Sequence, residues 1–133
     1  AYAQHKADAQ VIKVATNGKE GRYQFVVSVK SPDKGCNQYA DWWEVISDNG
    51  TQLIGRRILL HSHVGEQPFT RSSSPISLKA TDRVIVRVHM NSTGYSRFAM
   101  RGSISEGFEA VELDRNFAVA LSKLEPLPKG CAH

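Results

Sequence analysis

His61 and His63 stand two residues apart at the end of the apolar run Ile58-Leu59-Leu60, and Glu66 follows three residues later. In extended backbone, side chains at i and i+2 share a face. Imidazole is the side chain that binds metals, carries protons and changes charge near neutral pH. The same alternation places Arg57, Leu59, His61 and His63 on one face, with Ile58 and Leu60 on the other. If Ile58 and Leu60 supply the core, the histidine face lines a rim. In Val84-Ile85-Val86-Arg87-Val88-His89-Met90 the valines and Met90 point inward, while Arg87 and His89 point outward. Were the two strands neighbours, His61, His63 and His89 would converge. Three imidazoles, or two with Glu66, suit zinc or copper. Met90 and Met100 lie near His89, and a thioether beside imidazole favours copper, although Met90 on the apolar face reads first as core.

A second cluster is Asp41-Trp42-Trp43-Glu44. Adjacent residues of a strand face opposite ways, so one tryptophan belongs to the core. The other is exposed or covered by a loop, and an exposed one could stack on a sugar or anchor a protein. The polar connection Gln67–Pro75 has the length and hydroxyl content of a binding loop. There is no G-x-S-x-G, no phosphate-binding glycine loop and no C-x-x-C. Asn49-Gly50-Thr51 and Asn91-Ser92-Thr93 fit the glycosylation pattern but are equally good turns.

The elements that must position these groups are strands. Tyr23, Phe25, Val27 and Val29 alternate with Gln24, Ser28 and Lys30, the pattern of a half-buried antiparallel strand. Further strands are expected at 10–15, 42–47, 52–61, 76–79, 84–90, 96–103 and 116–121. Asp48-Asn49-Gly50 signals a hairpin, because Asn-Gly tolerates the positive φ of a type I′ turn. Thr16–Gly21 and Asn91–Gly94 mark two more. Evenly spaced short strands without a βαβ pattern predict an all-β fold, an antiparallel β-sandwich of about seven or eight strands. The tryptophan pair opening the third strand is laid out as in immunoglobulin- or fibronectin-like sandwiches. One domain spans 1–133, with an N-terminal arm over 1–9 and an irregular tail over 125–133.

The chain has 133 residues and 41% hydrophobic content, enough for a core that needs no metal to fold. Its net charge of +4 is spread along the chain without a basic patch, which argues against nucleic acid as a partner. No run approaches the roughly 20 apolar residues of a membrane-spanning helix. Cys36 and Cys131 are expected to form a disulfide, and the opening Ala1-Tyr2-Ala3 resembles the residues around a signal-peptidase cut. These features predict a secreted or periplasmic protein. The leading expectation is a non-enzymatic domain that binds a protein or small ligand through Arg57, His61, His63, Glu66 and His89, with Trp42 or Trp43 at the edge. The alternatives are a periplasmic copper or zinc protein using His61, His63 and His89, and a small metal-dependent hydrolase at the same histidines.

Overall fold

The computed structural model describes residues 8–131. Nine strands form one mixed sheet: β1 (Gln10–Lys19), β2 (Arg22–Lys30), β3 (Ala40–Ser47), β4 (Leu53–Ile58), β5 (Phe69–Ser72), β6 (Val84–Met90), β7 (Gly94–Tyr95), β8 (Phe98–Ser103) and β9 (Gly107–Glu112). The main path runs β4-β3-β6-β8-β1-β2-β5, with β7 paired to β6 and β9 to β8. Every pairing is antiparallel except the single parallel contact of Gln10 with Phe98 between β1 and β8. The all-β expectation holds. The sheet is nearly closed and barrel-like, however, and does not divide into the two separate layers of the expected sandwich. Its end strands β4 and β5 face each other across a seam.

The inner face buries Val11, Phe25, Val27, Val29, Trp43, Val45, Phe69, Val84, Val86 and Val88. These are the alternate positions that the period of two selects. β3 is buried on both faces, from Ala40 to Ile46. The reason is a second, outer cluster, in which Ile46, Ile85, Ala99 and Leu121 pack with Leu53, Val111, Leu113, Phe117 and Ala118. The segment after β9 therefore lies as a strap over the outside of the sheet. It was expected to contribute a strand over 116–121 and instead forms a 3-10 helix, Val119–Lys123. Strand geometry fails there because Ala118 takes a left-handed φ of 51°, and Leu121 then reaches the outer cluster.

Two buried arginines hold the strap. Glu44, fully buried on β3, accepts from Arg56 Nε at 2.7 Å on one oxygen and from Arg87 Nε at 2.8 Å on the other. Trp42 Nε1 donates to the same carboxylate at 2.7 Å. The arginine forks then reach the strap: Arg87 donates to the carbonyls of Phe117 and Ala118, and Arg56 to those of Leu121, Leu124 and Pro126. Backbone carbonyls of a segment without ladder partners are thereby satisfied. The expectation that Arg87 points to solvent is thus corrected, since the strap leaves it only 1% exposed. Beyond the strap, Cys131 is disulfide-bonded to Cys36, with Cα atoms 5.5 Å apart.

Candidate functional site

β4 ends at Ile58, and the chain then crosses to β5 through residues 59–68. Trp43 opposes Arg57 in the β3–β4 ladder, so Arg57 and, two residues on, Leu59 take the inward side. Leu59 is buried and Leu60 is exposed, the reverse of the expected assignment. Alternation also fails at the histidines, because they lie beyond the strand. His61 is exposed, whereas His63 turns inward and is 4% exposed. Their rings remain neighbours, 4.5 Å between centroids and tilted by 41°.

His63 is held on all sides. Its ring stacks on Phe69 at 4.0 Å, and its backbone N–H donates to Asp33 Oδ2 at 2.8 Å. Asp33 Oδ1 accepts from Ser31 Oγ at 2.7 Å and from the Ala40 N–H at 3.0 Å, so this buried carboxylate ties the β2–β3 loop to the histidine loop. Gln67 Nε2 donates to the His63 carbonyl at 3.0 Å, and Gln67 Oε1 accepts from the Ser31 N–H. Arg71 Nη2 lies 3.0 Å from His63 Nε2. A guanidinium only donates, so Nε2 must accept, and the ring is neutral with its proton on Nδ1. Nδ1 lies 4.0 Å from Asp33 Oδ2. Arg71 also reaches the exposed Glu66 at 3.4 Å.

Burial pushes the His63 imidazole below its ordinary value of 6.5, and the Arg71 and His61 charges push the same way against Asp33 and Glu66. The unfolded chain therefore binds a proton that the folded chain refuses, and stability falls as pH drops below 6.5 until the folded value is also passed. The slope from this one group is at most about 1.4 kcal/mol per pH unit. Thermal melts between pH 7.5 and 5 should show the loss in the wild-type protein and a flatter profile in His63→Gln. An unchanged slope in the variant would assign the effect elsewhere.

The seam beside this cluster has an uncommon occupant. Arg57 Nε donates to Ser72 O on β5 at 2.7 Å, and its Nη1 donates to Ile58 O on β4 at 2.7 Å. One side chain thus satisfies carbonyls of both sheet edges. Further along, Ile76 packs on Gly55, where an added Cβ would meet Ile76 Cδ1 at 2.8 Å. Three clefts follow one another along the seam. The first, about 70 Å³, is lined by Arg57, Leu59, Leu60, His61, His63 and Arg71. The second, about 420 Å³, shares Arg57 and Leu60 with it and runs between residues 54–58 and 73–77. The third, about 330 Å³, shares Ile54 and Ser77 with the second and ends at Asp82 and Arg83.

His89 belongs to a different neighbourhood. It pairs with Trp42 across β6 and β3, two strands in from β4, and so about 10 Å from Ile58 at ordinary strand spacing. Its ring stacks on Trp42 at 3.7 Å, and its Nδ1 lies 2.7 Å from Asp41 Oδ1. Among the described residues no group of three or more His, Cys, Asp or Glu side chains is placed to hold a metal ion. The electrostatics agree, since Arg71 occupies the His63 lone pair and would repel a cation there. Trp42 lies beneath Arg56, 4.4 Å from guanidinium carbon to ring centroid, and Trp43 is fully buried in the inner core. Neither tryptophan edges the histidine site. Tyr95, under Arg87 at 3.5 Å, has its hydroxyl pushed up to about 12 by burial and then by the Glu44 charge, so it stays a neutral phenol.

Of the groups that hold His63, Asp33 has no place in the sequence reading, and Gln67 and Arg71 enter it only as members of the polar connection Gln67–Pro75. Asp33 is a lone acid between Pro32 and Lys34 with no local signal. Arg71 was legible in principle: it lies two residues after Phe69 and opposes Val27, so it shares the inward face.

No family model matches the chain, and no solved structure matches it. A protein of Halomicrobium mukohataei named "Putative lipoprotein" is 36% identical over 116 residues, which cover 80% of this chain. The match takes up 57% of that relative's length, so the chain spans a little over half of it. Among the described residues no helix is long and apolar enough to cross a membrane.

Proposed function

We propose that this is an exported, non-enzymatic domain that binds an extended polypeptide segment along the seam between β4 and β5. Export is supported by the Cys36–Cys131 disulfide, since such bonds persist in oxidising compartments, and by the lipoprotein name of the relative. The observation that carries the binding reading is Arg57. Its guanidinium donates to Ile58 O and Ser72 O, the acceptors that the N–H groups of an inserted strand would use.

The ladder explains why acceptors are available. Leu59 N donates to Asp41 O, so the backbone of the flanking Ile58 points away from β3, and Arg56 follows by alternation. On the other side Ile76 exchanges backbone bonds with Tyr23, and Leu78 O accepts from the Gly21 N–H, which leaves Ser77 between them facing the seam. Edge groups of this kind template an added strand, and here the Arg57 side chain holds Ile58 O and Ser72 O until such a strand displaces it. The six residues of β4 give such a strand a track of about 20 Å.

Blocking the track tests the reading. Ser77 is exposed and lines both larger clefts, so Ser77→Trp should fill the seam at little cost to the fold. A pool of random heptapeptides passed over immobilised protein should be retained by the wild type and at least tenfold less by Ser77→Trp. Glu109→Trp on the exposed face of β9 serves as the control. Equal retention by all three proteins would overturn the seam as the site.

A further inference from the structure

Resting on the seam reading, we infer that the segment bound there ends at the histidine loop and presents its free C-terminal carboxylate to Arg57, Arg71 and His61. Topology sets where it ends. β4 and β5 are joined directly by residues 59–68, so the groove between them is closed by its own connection at that end. A chain lying between the edges cannot continue past the loop without leaving the groove. At the opposite end the connection from β5 to β6 brings Asp82 and Arg83 beside Ser47 and Gln52, and there the cleft measures about 330 Å³.

Charge sets which terminus it is. The cleft at the closed end has two guanidiniums and two imidazoles in its lining and no carboxylate. The nearest acid partner of Arg71, Glu66, is 58% exposed and 3.4 Å away, a loose surface pair. Asp33 is committed to Ser31, Ala40 and His63. An ammonium terminus would be repelled from this cleft. A carboxylate would gain charge-assisted hydrogen bonds from the N–H groups that Arg71 keeps after Nη1 donates to Thr70 O and Nη2 to His63 Nε2, and from Arg57 once the bound strand takes over Ile58 O and Ser72 O. His61 is exposed at the cleft, and its Nδ1 lies 3.1 Å from Ser62 O. The direction follows. A segment ending at the loop runs parallel to β4, which also heads toward the loop, and antiparallel to β5, which leaves it.

The size of the cleft limits the source of the carboxylate. At about 70 Å³ it takes a compact group at the end of the strand track, in line with the backbone. An acidic side chain would leave an inserted strand perpendicular to that track.

The test uses one heptapeptide pool in two forms, ending either in the free acid or in the C-terminal amide, with retention by wild-type, Arg71→Gln and Ser77→Trp proteins read by mass spectrometry. Charge-assisted contacts of this kind correspond to about a tenfold to hundredfold preference for the free acid. Arg71→Gln should lose the preference while still retaining peptides, and Ser77→Trp should lose retention of both forms. Arg71→Lys, which keeps the charge without the fork, should restore part of the preference and guards against a merely misfolded Arg71→Gln. If both forms are retained equally and Ser77→Trp loses both, the carboxylate inference falls while the seam reading stands. If the amide pool is retained but enriched in terminal Asp or Glu, the carboxylate comes from a side chain and the inference is overturned. Retention of neither form, or retention unaffected by Ser77→Trp, overturns both.

Discussion

Replacing Glu44 with alanine should lower the melting temperature by about 10–15 °C, the equivalent of roughly 3–5 kcal/mol for a domain of this size. The carboxylate is fully buried and has three donors, namely Arg56 Nε, Arg87 Nε and Trp42 Nε1. Removing it leaves two guanidiniums out of water with no counter-charge. That desolvation cost, rather than the loss of an attraction, makes the change severe. The strap softens it only in part, because the forks keep their carbonyl acceptors at 117, 118, 121, 124 and 126 while their Nε groups lose theirs. Urea unfolding of wild type and variant at neutral pH reads the difference directly from the midpoint and slope. A loss below about 1 kcal/mol, the range of an exposed pair, would mean that water reaches the arginines and that the strap is not closed over them.

The severity of that change does not make the triad a source of net stability. Buried ion pairs replaced whole by apolar groups are often neutral or better. What Arg56–Glu44–Arg87 does here is positional. It gives a segment without strand partners a fixed set of donors on the outside of the sheet, and so covers Ile46, Ile85 and Ala99. It also fixes the register of β3 between its neighbours, since Glu44 opposes Arg56 on one side and Arg87 on the other.

That arrangement explains which parts of the fold were legible in the sequence. β2 and β6 were readable because each has a clean period of two against the inner core. The hairpin turn was readable from Asn49-Gly50, and Gly50 takes the expected positive φ of 75°. The strand expected at 76–79 does not form. The observed strand is Phe69–Ser72, and Ile76 makes only an isolated bridge to Tyr23. Phe69 and Arg71 alternate over just four residues, too short a run to stand out from a serine-rich loop. β9 has no sequence signature, since Gly107-Phe108-Glu109-Ala110-Val111-Glu112 is mostly exposed. Arg87 and His89 read as outward because period two reports the face of the sheet and is silent about what covers it. A strap carried in from residues 113–126 is a tertiary event that no local pattern announces.

The histidine pair divides along the same line. Its position at a strand end was legible, but the face was not: Arg57 and Leu59 turn inward, and His61 is exposed because the strand ends at Ile58 before alternation reaches it. The burial of His63 was not legible either, because it depends on Asp33 and Phe69, distant in sequence and near in space. Convergence with His89 required β4 and β6 to be neighbours, whereas β3 stands between them. The same topology places Arg57 at an edge strand, where its side chain meets β5 across the seam, and no periodicity argument indicates that two edges will face each other.

Removing the disulfide, as Cys36→Ser with Cys131→Ser, should cost about 2–5 kcal/mol and yet leave the strap in place. The bond closes a span of 95 residues. In the chain-entropy model a loop of that length restricts the unfolded state by the equivalent of about 4–5 kcal/mol. The native strap has other attachments, since Arg56 and Arg87 hold it upstream of Cys131 and Leu121 is buried beneath it. At the other end, Asn91 Nδ2 donates to Cys36 O and Asn91 Oδ1 accepts from the Tyr39 N–H, so the Cys36 loop is also pinned without the bond. The loss should therefore appear in the global unfolding free energy, while the amides of Leu121 and Leu124, bonded to Ala118 O and Leu121 O, keep exchanging through global opening. Fast exchange confined to those two amides would show instead that the disulfide itself holds the strap down. Combining the serine pair with Arg56→Gln separates the two attachments. If both restrain one segment, the combined loss departs from the sum of the separate losses by about 1 kcal/mol or more, whereas independent attachments add to within a few tenths.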